Sequence, residues 1–114
     1  MNVELLKSKV HSATFAGSNL DYVESLTLGE SLMGAAGMIG AGKIHVLNVN
    51  NGGLIEPNLI KGERESGTCC LNVPATCKGA VRDVVVIISN AQMGFEEAKN
   101  FRKKIVFLNE GNRL

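Results

Sequence analysis

Apolar positions along the chain fall mostly into short runs of strand type. Val10 to Phe15 alternates loosely after a charged start. Tyr22 to Leu28 and Lys43 to Val49 come next, the latter with Ile44, Val46 and Leu47 apolar. Leu54 to Ile60 is a weaker run, and Pro57 within it predicts an edge or a bulge, because proline cannot donate to a ladder. Thr68 to Val73 is a fifth run and Lys104 to Leu108 closes the series. Asp83 to Ser89 is the strongest. Val84, Val85, Val86, Ile87 and Ile88 are consecutive and β-branched, the pattern of a strand buried on both faces.

Helical spacing occurs twice. Glu30 to Met38 places Leu32, Ala35 and Ala36 on one side and ends near Gly37 and Gly40. Phe95 to Phe101 carries Glu96 and Glu97 early and Lys99 late, which suits the helix dipole. Asn50-Asn51-Gly52-Gly53 separates two strand runs and predicts a turn, since Asn and Gly tolerate positive φ. Short strands, tight turns and two short helices predict a small closed β-barrel.

A chain of 114 residues supports one domain, residues 1–114. Charged residues make up 20% and the formal net charge is +1, which gives no electrostatic basis for binding nucleic acid or an acidic membrane surface. Aromatics are 4% with no tryptophan, so a base-stacking surface is not expected either. The start, Met1-Asn2-Val3-Glu4-Leu5-Leu6-Lys7, lacks the basic and apolar regions of a signal peptide. The uncharged stretch Ser31 to Gly42 is too short to span a bilayer. With Cys69, Cys70 and Cys77 an odd set, the expectation is reduced thiols in a cytoplasm. Adjacent strand cysteines face opposite sides, so Cys69 and Cys70 do not converge on a metal, and at least one faces the core.

Several segments, taken in order, resemble the aspartate 1-decarboxylase family. They are Lys7-Ser8-Lys9-Val10-His11-Ser12-Ala13-Thr14, Leu20-Asp21-Tyr22-Val23-Glu24-Ser25-Leu26-Thr27-Leu28, and Leu32-Met33-Gly34-Ala35-Ala36-Gly37-Met38. Val49-Asn50-Asn51-Gly52, Gly62-Glu63-Arg64, Ser66-Gly67, Leu71-Asn72 and Asp83 to Ser89 complete the set. The resemblance implies a mainly β fold, a double-psi β-barrel with two short helices. It also implies a homotetramer with sites between neighbouring subunits, and decarboxylation of L-aspartate to β-alanine for pantothenate synthesis. The cofactor it implies is a pyruvoyl group made from the chain itself, with no metal. A serine hydroxyl attacks the preceding carbonyl, the amide becomes an ester, elimination breaks the chain, and the resulting dehydroalanine hydrolyses to the pyruvoyl group. That ketone forms a Schiff base with the substrate amine and accepts the electrons released with carbon dioxide.

Carried over residue by residue, the resemblance places self-cleavage between Glu24 and Ser25, with Ser25 as pyruvoyl precursor. Asn72 is the second catalytic position, and Lys9, His11, Tyr22 and Ala75 line the substrate. Each has a plainer reading: a solvated strand serine or lysine, a histidine in a structural hydrogen bond, a tyrosine packed on the barrel. Several positions depart from the family's pattern. Glu24 stands where the family has glycine, Pro57-Asn58 where it has threonine-tyrosine, Leu54 where it has arginine, and Val73-Pro74 where it has glycine-alanine. Glycine permits the backbone of a strained scissile peptide, and the threonine hydroxyl donates to its oxyanion. Losing such a donor costs about 10²–10³ in rate. Asn58 is a very poor proton donor, and Leu54 cannot pair with a carboxylate. These replacements predict slow processing, with the Glu24-Ser25 peptide intact in most or all molecules, and weak or no aspartate binding. The alternative is an unprocessed, catalytically impaired barrel with a structural or regulatory role.

Overall fold

The computed structural model describes residues 1–15, 17–18, 25–40, 42–64, 67–72, 83–109, 111–112 and 114, with 17, 18, 71 and 72 described by backbone alone. Elements run in the order β1 (Asn2–Thr14), β2 (Gly17–Ser18), β3 (Ser25–Gly29), α1 (Glu30–Ala36), β4 (His45–Asn48), β5 (Leu54–Ile55), β6 (Asn58–Gly62), β7 (Cys69–Asn72), β8 (Val84–Gly94), α2 (Phe95–Lys99) and β9 (Lys104–Phe107). The mainly β class with two short helices agrees with the expectation. Among the described residues the strands do not close into one ring. They form a five-stranded sheet, β5-β4-β8-β1-β9, and a four-stranded sheet, β2-β7-β3-β6.

The β-branched run lies at the centre of the larger sheet. β8 is antiparallel to both β1 and β4, in register Val10↔Ile87 and Val46↔Ile87. Val85 and Ile87 are fully buried and Val86 is 7% exposed, while Val84 and Ile88 are half-buried. Both faces of this strand are therefore covered over its middle. Pro57 divides the expected Leu54 to Ile60 run into β5 and β6. The proline is itself buried, and its carbonyl accepts from Ile44 N at 3.1 Å. In the smaller sheet β3 runs parallel to β6 and antiparallel to β7, with Leu26↔Leu59 and Leu26↔Leu71 in register. Leu26, Leu28 and Leu59 are buried and join Val10, Ala13, Phe15, Ile44, Val46, Val85 and Ile87 in one core.

Helix α1 covers that core with Leu32, Met33 and Ala36, and stops at Gly37, whose φ of 68° gives a left-handed cap. Lys7 Nζ donates to the Gly37 carbonyl at 2.5 Å, placing a cation at the helix C-terminus. The Asn-Gly turn forms between β4 and β5, with Gly52 at φ 74°. Asn112, 4% exposed, ties the chain end to the sheets: Thr14 N donates to its Oδ1 at 2.7 Å, and its Nδ2 donates to the carbonyls of Thr14 and Gly67, both at 2.9 Å. Cys69 is buried, as expected for one of the adjacent pair, and burial pushes its thiol up to about 12. No helix of the described residues is long and apolar enough to cross a membrane.

Candidate active site

Ser25 is the first residue of β3. It is held on both sides, in register with Asn58 of β6 and with Asn72 of β7. Leu26 and Leu59 lie fully buried on the core face of β3 and β6, so alternation places Ser25 and Asn58 on the opposite face. Ser25 is nevertheless only 2% exposed, whereas Asn58 is exposed. A hydroxyl thus sits at the entry of a strand fixed by two ladders and by the buried side chains of Leu26 and Leu28. Glu24 and Tyr22 precede it, and Ala75 comes after Asn72; all three lie outside the described residues, as do Val73, Pro74 and Cys77.

Lys9 and His11 belong to the other sheet. They lie on β1, half-buried, on either side of the fully buried Val10. β9 flanks them in parallel register, Lys9↔Ile105 and His11↔Phe107. The His11 ring meets the Phe107 ring edge-on, with centroids 5.4 Å apart. Among the described residues no strand pairing joins β1 to β3. The expected site residues therefore form two groups within one chain: Ser25 with the backbone of Asn72 on one sheet, Lys9 with His11 on the other.

Of the replaced positions, Asn58 is the register partner of Ser25 and Pro57 adjoins it. Leu54 is 50% exposed at the β4–β5 edge, paired with Leu47. Between it and β6, Glu56 accepts from His45 Nε2 at 2.9 Å and lies 3.4 Å from Lys43 Nζ. The hydrogen bond from His45, and next that from Lys43, hold the Glu56 carboxyl below its usual value of 4.5. Sequence reading missed this cluster; Lys43 and His45, two residues apart, were its only signal. Because the folded value is depressed, folding favours the Glu56 carboxylate, and that contribution is lost as pH falls through the lower, folded value. A carbon-detected NMR titration is expected to give Glu56 a midpoint below 4.5, and His45→Ala is expected to move it upward.

The family model described as aspartate decarboxylase matches residues 1–114. The chain is 45% identical over 114 residues to an aspartate 1-decarboxylase of Cytophaga hutchinsonii, covering 100% of this chain and 99% of the relative. It is 49% identical over 107 residues to the aspartate 1-decarboxylase of Phocaeicola vulgatus, covering 94% and 92%. A third, from Caldicellulosiruptor saccharolyticus, is 46% identical over 114 residues, covering 100% and 89%.

Proposed function

Because the chain belongs to the aspartate decarboxylase family, we propose that it converts L-aspartate to β-alanine and carbon dioxide, using a pyruvoyl group derived from Ser25. The family match over the whole chain carries this reading. The carboxy-lyase activity is the one its curated relatives are named for. On this reading the β-alanine feeds pantothenate synthesis, and the proposed location is the cytoplasm.

The surroundings of Ser25 fit such a group. After cleavage before residue 25, the new chain start remains anchored by the β3 pairing from Leu26 to Gly29 on one side and from Leu26 to Leu28 on the other. A pyruvoyl group there supplies a ketone that takes the substrate amine and accepts the electrons left by carbon dioxide. The protein's own residues do the rest. β6 and β7 hold residue 25 in place and keep bulk water from it, and Asn72 and Ala75 line the substrate. Lys9 supplies a cation for a carboxylate and His11 a second donor.

Lys9 and His11 reach this centre from a neighbouring copy. Residues 1–114 of each chain form one barrel domain, and four copies assemble. The outer face of the five-stranded sheet supports this: Leu47, Leu54, Ile105 and Phe107 are 37%, 50%, 42% and 68% exposed on the sheet that carries Lys9 and His11. Covering such a face contributes about 25 cal/mol for each Å² of apolar area removed from water. Light scattering is expected to give four times the chain mass of 12.1 kDa, and a monomer contradicts the assembly. The activity is tested by incubating the protein with L-aspartate and measuring β-alanine. The expected result is slow formation that Ser25→Ala abolishes; no β-alanine from the unaltered chain overturns the reading.

A further inference from the structure

Lys9 and His11 share the parity of residues that face the core. Along β1, Val3 and Leu5 are half-buried while Asn2 and Glu4 are exposed, and Ala13 near its end and Phe15 just beyond it are buried. All these inward positions are odd-numbered. In an unbroken strand, where side chains alternate with period two, Lys9 and His11 would point inward with them. Instead Ser8 and Val10, both fully buried, take the core side.

Two irregularities in the β1–β8 register account for this. Leu6 pairs with Asn90 and Ser8 with Ser89, so Lys7 is an extra residue on β1. Val10 pairs with Ile87 and Ala13 with Val85, so His11 and Ser12 together oppose Val86. Each extra residue inverts the facing of the strand beyond it, and two of them bracket the segment Ser8 to His11. The second bulge depends on Ser12, which is exposed and has a left-handed φ of 65°, a conformation that side chains seldom adopt inside a strand. Lys7, the extra residue of the first bulge, uses its side chain to cap α1.

We propose that Ser12 is a positioning residue, whose left-handed backbone closes the bulge that holds Lys9 and His11 on the outer face of β1. This rests on the reading of Lys9 and His11 as substrate-binding. The Ser12 hydroxyl plays no part in it. What counts is the conformation: glycine and asparagine accept it, alanine less readily, and β-branched residues least.

The test is a series at one position: Ser12→Gly, Ser12→Asn, Ser12→Ala, Ser12→Thr and Ser12→Val. Glycine and asparagine are expected to keep the KM for L-aspartate, alanine to be intermediate, and threonine and valine to raise it by about tenfold with a smaller change in kcat. A nuclear Overhauser effect between the His11 and Phe107 rings, read without substrate, is expected to weaken in the same order. Threonine separates backbone from hydroxyl, because it keeps the hydroxyl and still fails. Alanine keeps the series readable if valine does not fold. Unchanged KM and ring contact in the threonine and alanine variants overturn the proposal, as do glycine and asparagine variants no better than threonine. If the unaltered protein forms no β-alanine, the functional reading fails while the ring contact still decides the role of Ser12.

Discussion

Replacing Glu24 by glycine and Pro57 by threonine together is expected to speed self-cleavage by roughly three to five orders of magnitude. Acyl transfer to the Ser25 hydroxyl needs a strained carbonyl, a donor for the oxyanion and a hydroxyl placed to attack. Ser25 at the entry of β3 supplies the hydroxyl, fixed by pairing with Asn58 and Asn72. A non-glycine residue in a sparsely populated backbone region costs about 1–3 kcal/mol, and glutamate also sets negative charge beside a carbonyl that must gain more. A missing oxyanion donor costs about 2.7–4 kcal/mol. Pro57 is one residue before Asn58, the register partner of Ser25, and has neither an N–H nor a side-chain donor. Threonine there restores a hydroxyl at that place. Cleavage followed over hours on a denaturing gel checks the effect. If the double variant cleaves no faster than the natural chain, the block to cleavage lies at other residues.

Leu26→Ala is expected to destabilise the fold by about 2–5 kcal/mol, the range for removing a fully buried leucine side chain. Leu26 is fully buried and in register with Leu59 on one side and Leu71 on the other, so the cavity opens at the centre of the smaller sheet. At about 1.4 kcal/mol per tenfold, the folded population ratio falls by a factor of roughly 30 or more. Urea unfolding is expected to show a lower midpoint with an unchanged slope. A shift within about 0.5 kcal/mol, the size typical of surface substitutions, contradicts the place given to Leu26 in the core. The loss also loosens the anchor of residue 25, so cleavage in the folded fraction is expected to slow as well.

Much of the architecture is legible in residue pattern because burial and backbone chemistry act locally. Five β-branched residues in a row mark β8, Asn-Gly marks the β4–β5 turn, Pro57 breaks its run, and Gly37 ends α1. The start of β1 is less legible. Asn2 to Lys7 mixes charge and leucine because that part of the strand is at most half covered, and two bulges scramble the alternation of β1. Which way Lys9 and His11 face is thus a property of pairing with β8, and no count along the chain gives it. Strand β2 has only two residues, and among the described residues its strand partner is β7. Ser25, Asn72, Lys9 and His11 are identified through family resemblance. The pattern around them reads as ordinary strand, since the role proposed for each depends on neighbours distant in sequence.

The most direct measurement is the intact mass of the protein, denatured after long incubation and set beside its β-alanine output. Slow conversion to fragments 1–24 and 25–114 is predicted, the larger starting with a pyruvoyl group that reacts with hydroxylamine. β-Alanine formation is predicted to rise in proportion to the cleaved fraction. A chain that stays whole with serine at 25 yet makes β-alanine contradicts it, as does one that stays whole and makes none.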